Sequence, residues 1–231
     1  MIDKRKKYIL MVDTETANTM CDDTGKLDMS NVLVYDVGMA VIDKKGNIYE
    51  KYSFINSDIF YHEKDLMKSA YYAHKIPLYE KAILNRESEV ANFYQIRKKM
   101  FELLDKYNIT TVAAHNSRFD YNACNITQRY ITKSKYRYFF PKGIEIWDTM
   151  KMANDTICKQ TLYKEFCEEH GYKTANNQVR KTAEILYRYI TQNIDFEEEH
   201  RGLQDVEIEA VVLAHCIKQH KKMRKKLFEN Y

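Results

Sequence analysis

The hydrophobic positions of this chain change their period along its length. Tyr8-Ile9-Leu10-Met11-Val12 is an unbroken apolar run that stops at Asp13, which suits a central strand covered on both faces. Val32 to Ile42 and Ile48 to Ile55 are rich in β-forming residues and are separated by the polar Asp43-Lys44-Lys45-Gly46-Asn47. That arrangement predicts an antiparallel meander. From Glu63 to about Tyr107 the period becomes helical, most clearly at Val90, Phe93, Tyr94, Met100, Phe101 and Leu104.

Thr111 to Ala114 then predicts a short strand, Phe119 to Ile131 a helix, and Ile144 to Trp147 a last strand. Beyond Asp148 the pattern is helical, over Thr161 to His170 closed by Gly171, Val179 to Thr191, and Leu203 to His220. An antiparallel start followed by alternating strand and helix implies an α/β fold. Its mixed sheet should have five strands, three antiparallel and then parallel ones, flanked by helices.

Composition narrows this picture only a little. With 231 residues and 45% hydrophobic side chains, the chain is long enough for one domain with a full core. The net charge of +4 is small beside 37 basic and 33 acidic residues, so it permits contact with a phosphate backbone without establishing it. Cys21, Cys124, Cys158, Cys167 and Cys216 are odd in number and form no CxxC pair, which predicts reduced thiols in a cytoplasm. The apolar run after the basic N-terminus is too short for a signal-peptide core, and no stretch approaches the length of a membrane span. Lys218, Lys221, Lys222, Arg224, Lys225 and Lys226 read as a solvated basic helix end at the negative pole of the helix dipole, with phosphate contact as the alternative.

Four places along the chain carry candidate chemistry. Asp13 and Glu15 lie two apart at the end of the most apolar strand, so their side chains share a face. Two adjacent carboxylates resist joint ionisation unless a cation sits between them. Asp120 falls in the first turn of a predicted helix directly after a strand, where α/β folds commonly carry sites. His200-Arg201-Gly202-Leu203-Gln204-Asp205 ends the set. On one continuous helix His200 and Asp205 would point about 140° apart, so a shared site requires His200 to precede the helix, with Gly202 supplying the bend.

Val12-Asp13-Thr14-Glu15-Thr16, His115-Asn116-Ser117-Arg118-Phe119-Asp120 and His200-x4-Asp205 together resemble the three motifs of the DEDDh family, the DnaQ-like 3'-5' exonucleases. Tyr35-Asp36-Val37-Gly38, Trp147-Asp148-Thr149 and Thr161-Leu162 extend the resemblance over about residues 7 to 217. It implies an RNase H-like sheet in a single exonuclease domain over residues 1–231. A helical insertion at about 174–197 is longer than the compact family pattern, and a basic tail follows at about 218–231. Gly202 and Gln204 also stand where such proteins often have other small or acidic residues, which leaves substrate specificity open.

By the same resemblance Asp13, Glu15, Asp120 and Asp205 would hold two divalent cations, Mg²⁺ or Mn²⁺, and His200 would act as general base. Thr16 and Ala17 would offer backbone to the terminal nucleotide, and Asn116, beside His115, would support the site or touch substrate. The expected ligand is the 3' end of single-stranded nucleic acid, DNA ahead of RNA or short oligonucleotides, with a noncovalent polymerase or replication factor as a candidate partner. The 19 tyrosines and 10 phenylalanines supply both core and stacking surfaces. A catalytically silent nucleic-acid-binding module is the alternative of another class.

Overall fold

Strand β1 (Tyr8–Ala17) forms the axis of the sheet, because its run from Tyr8 to Val12 is buried on both faces. The structure, a computed structural model, describes residues 2, 6–17, 20–21, 27–28, 32–68, 70 and 73–228. Strand β1 is followed by β2 (Met20–Cys21) and β3 (Leu27–Asp28), a separate two-stranded ribbon, and then by β4 (Leu33–Asp43) and β5 (Ile48–Asn56). Short helices α1 (Ser57–Phe60), α2 (Lys64–Lys68) and α3 (Ile76–Leu84) lead to β6 (Glu89–Ala91) and to α4 (Phe93–Lys106). The rest alternates: β7 (Thr111–Ala114), α5 (Arg118–Thr132), β8 (Glu145–Asp148), and then α6 (Thr149–Asp155), α7 (Thr161–Glu169), α8 (Ala183–Thr191) and α9 (Gly202–Lys218).

The main sheet has the order β6-β5-β4-β1-β7-β8. β4 runs antiparallel to both β1 and β5, as the meander predicts, whereas β7 runs parallel to β1, and β8 parallel to β7. The count is six strands rather than five, because Glu89–Ala91 pairs parallel with β5 at the sheet edge. These three residues lie inside the stretch expected to be helical, and a three-residue strand is too short to show alternation. It ends at Asn92, which starts α4 with a reciprocal capping box to Gln95.

Alternation along β1 divides the core. Tyr8, Leu10 and Val12 pack on Phe93, Ile96 and Met100 of α4 and Ala123 and Cys124 of α5. Ile9 and Met11 pack on the other face, with Met152, Tyr163, Leu186 and Val206 of α6 to α9.

Two C-terminal expectations change. Helix α8 starts at Ala183 rather than Val179, since Val179 bridges to Lys173, and the carbonyls of Arg180 and Lys181 are taken by the Tyr163 hydroxyl and the His115 ring. The basic tail is not a solvated helix end. After α9 the chain turns back along β8, where the backbone N–H of Asp148 donates to Lys225 at 2.7 Å and that of Leu227 donates to Ile146 at 2.8 Å. Leu227 is buried in the core, Arg224 forks onto Asp155, and Lys226 pairs with Glu145.

Candidate active site

The end of β1 opens on a cleft of about 800 Å³ that α9, the start of α5 and residues 174–183 enclose. Asp13 and Glu15 line it from one side of the strand, while Thr14 between them, also at its edge, is buried toward the other side. Asp120 enters from α5, the helix on that opposite face, and the Thr14 hydroxyl donates to its Oδ1 at 2.9 Å. The alternation that separates Thr14 from its neighbours thus lets one strand position acids from both sides of the sheet.

Helix α9 brings in Asp205. Its N-terminus lies so close to β4 that a Cβ on Gly38 would stand 2.1 Å from the carbonyl group of Gly202, and the Gly202 N–H donates to buried Asp36 at 3.0 Å. Gly202 therefore serves close approach rather than the bend. The bend is made at His200, whose φ of 52° is left-handed, and the Tyr79 hydroxyl donates to its carbonyl at 3.2 Å. With His200 ahead of the helix, single ligand atoms of Glu15, His200 and Asp205 all lie within 4.8 Å of one another.

Loss of hydration raises every acid here. Asp13 is held well above the usual carboxylate range by burial and then by the charges of Glu209, Asp120, Asp205 and Glu15. Burial and then Asp205 push Glu15 up to about 9. Burial and then Glu198 push Asp205 up to about 8. Asp120 is pushed up to about 7 by burial, against the lowering effect of its Thr14 hydrogen bonds. Burial, then the charge of Lys75, lowers His200.

Two acids in this group escape the motif reading. Glu209 sits one turn after Asp205 and accepts from the His115 backbone N–H at 3.1 Å, and Glu198 lies 3.8 Å from the His200 ring. The i,i+4 spacing from Asp205 is the signal that marks Glu209. Asn116 lines the cleft, with φ 60°, while Thr16 and Ala17 continue β1 with buried side chains and do not line it.

These residues fit divalent cations. Asp205 Oδ1 is buried without a hydrogen-bond partner among the described residues, and the surrounding donors are hard carboxylate oxygens whose mutual repulsion a cation would relieve.

No family model and no curated protein matches the sequence. Solved structures do resemble the fold. The nuclease domain of 3'hExo, a DEDDh family member bound to rAMP, is 11% identical with a TM-score of 0.52, over 97% of this chain and 100% of that one. Exonuclease I from Methylocaldum szegediense is 16% identical with a TM-score of 0.53, over 93% of this chain and 41% of that one. E. coli exonuclease I in complex with a 5cy-dT13 oligonucleotide is 12% identical with a TM-score of 0.50, over 94% and 41%. This chain thus spans about two-fifths of the exonuclease I chains. Sheet order, helix placement and these likenesses together give the chain the fold of the DEDDh-family exonucleases.

Proposed function

We propose that this chain is a member of the DEDDh family and a metal-dependent 3'-5' exonuclease that releases nucleoside 5'-monophosphates from single-stranded DNA. The observation that carries this reading is the convergence of Asp13, Glu15, Asp120, His200 and Asp205, from three distant parts of the sequence, on one cleft. Buried acids at this density weaken a fold unless they hold cations. The solved structures of similar fold include an exonuclease I bound to an oligodeoxythymidine and a DEDDh nuclease domain bound to rAMP, which supports a nucleic-acid substrate.

Asp13, Glu15, Asp120 and Asp205 would hold two Mg²⁺ or Mn²⁺ ions, and such ions supply activation of water and stabilisation of the leaving oxygen. His200, ahead of α9 and beside the carboxylates, takes the proton from the attacking water. The water oxygen bonds to phosphorus, the bond from phosphorus to the 3'-oxygen breaks, and that oxygen takes a proton from solvent to become the new 3'-hydroxyl, while His200 returns its proton to solvent. Asn116 and Phe119 line the cleft as contacts for the terminal nucleotide.

RNA is the second reading, favoured by the rAMP-bound domain. A time course on 3'- and 5'-labelled DNA and RNA oligonucleotides with Mg²⁺, Mn²⁺ or chelator tests all of this. The expected result is stepwise shortening from the 3' end that stops with chelator and in Asp13→Asn. Shortening from the 5' end, or undiminished activity of Asp13→Asn, would overturn it.

A further inference from the structure

The stretch from Tyr121 to Ile144 contains no acidic residue, in a chain that has 33 of them, yet it carries Arg129, Lys133, Lys135, Arg137 and Lys142. The fold concentrates that charge. Helix α5 ends at Thr132, Lys133 turns the chain with φ 52°, and the following loop is pinned from beneath by buried Phe139 and Phe140. Arg97 of α4 donates to the carbonyls of Tyr138 and Phe139 at 3.2 and 2.8 Å, and Asn125 accepts from the Phe139 N–H at 2.8 Å.

So anchored, the loop presents two aromatic rings outward. Tyr136 is 79% exposed and Tyr138 50% exposed, large values for rings on a fixed backbone. Lys135 lies over Tyr136 at 5.2 Å and Arg129 over Tyr138 at 4.8 Å. Among the described residues none of the cations in this stretch is ion-paired with a carboxylate. Arg129 Nε is buried without a hydrogen-bond partner among the described residues, and burial and then the charge of Arg137 hold the Arg97 guanidinium below its usual range. Unneutralised cations around exposed rings form the pairing that unpaired nucleic acid calls for: phosphates meet the charges, and bases stack on the rings.

We infer that the loop at the C-terminal end of α5, with Tyr136, Tyr138, Arg137 and Lys142 at its centre, is a second binding surface for single-stranded nucleic acid. Helix α5 separates it from Asp120 by about 18 Å, the chain rising 1.5 Å per residue from Asp120 to the helix end at Thr132. At ~3.4 Å per stacked nucleotide, a strand held at both places needs about six nucleotides. Short oligonucleotides therefore reach the cleft alone, and longer ones also reach the loop.

Fluorescence anisotropy of labelled dT4 and dT20 tests this on the whole chain and on the variant Tyr136→Ala, Tyr138→Ala, Arg137→Gln. The chain should bind dT20 more tightly than dT4. The variant should lose at least about tenfold for dT20 and nothing for dT4. With Lys135→Gln, Arg137→Gln and Lys142→Gln combined, the slope of log affinity against log salt should fall by about 2. Equal dT20 affinity in wild type and variant would overturn the inference, as would displacement of dT20 by polyglutamate at equal charge, which marks a general polyanion surface. Binding here and hydrolysis in the cleft fail separately. Loss of dT20 binding in the variant supports the loop even if no end is shortened, and metal-dependent shortening of dT4 can persist if the loop binds nothing.

Discussion

Helix α5 begins and ends in opposite electrostatic worlds. At its first turn Asp120 is 3% exposed and raised by burial, and it lies beside Asp13, which burial and then the neighbouring acids raise further. Just past its last turn the cations of the 133–142 loop are exposed and lack acids. Like charge in water costs little because solvent screens it, whereas like charge in the interior is expensive. On the proposed function the interior end therefore depends on a bound cation and on close placement; the exposed end depends on neither.

The largest test of that difference is catalytic. His200→Ala should lower turnover by about 10²–10⁴ while Mn²⁺ binding, read by titration calorimetry, persists. Asp13→Ala should lose both turnover and binding. Wild-type turnover in His200→Ala removes its role as base, and unchanged Mn²⁺ binding in Asp13→Ala removes the carboxylate centre.

Placement comes next. Gly38→Ala puts a methyl group 2.1 Å from the Gly202 carbonyl, so β4 or the start of α9 must shift. Overpacking of this kind costs about 1–3 kcal/mol, several degrees of melting temperature, and it displaces Asp205. An unchanged melting curve with full activity would mean that the contact between the two glycines does not position the site.

Metal removal gives a smaller, graded effect whose sign is fixed. The folded carboxyls bind their protons more tightly than unfolded ones, at about 7 for Asp120, 8 for Asp205 and 9 for Glu15. Their stabilising contribution is complete below the unfolded value of about 4 and is lost as pH rises through these folded values. In chelator the melting temperature should fall between pH 6 and 9, and saturating Mg²⁺ should flatten the fall. A metal-free protein whose melting temperature stays level over that range would contradict the electrostatic account of the cleft.

How much of this could be read in the sequence follows from the same contrast. Strands β1, β4, β5, β7 and β8 are long or apolar enough to announce themselves. β6 has only three residues, and the returning tail buries Leu227 alone among its described side chains; each is stabilised by pairing partners remote in sequence. The motifs point to Asp13, Glu15, Asp120, His200 and Asp205. The i,i+4 spacing from Asp205 points to Glu209, but only the fold, which leaves it 2% exposed, separates it from an acid on a solvated face. From sequence alone Gly202 reads as the flexible point because glycine permits bends, but a close backbone contact places the same demand on the residue. Which demand operates becomes visible only with β4 alongside.

The smallest prediction concerns the exposed end of α5. Replacing Arg137 and Lys142 by Gln removes two exposed charges that are not ion-paired among the described residues. Surface changes of this kind fall within about 0.5 kcal/mol, so the melting temperature should move by no more than about 2 °C, with or without metal. Stability that dropped as far as in Gly38→Ala would show that these cations help to hold the fold. Unchanged stability leaves their charge available to an anion, because no carboxylate among the described residues is lost as a partner when they are neutralised.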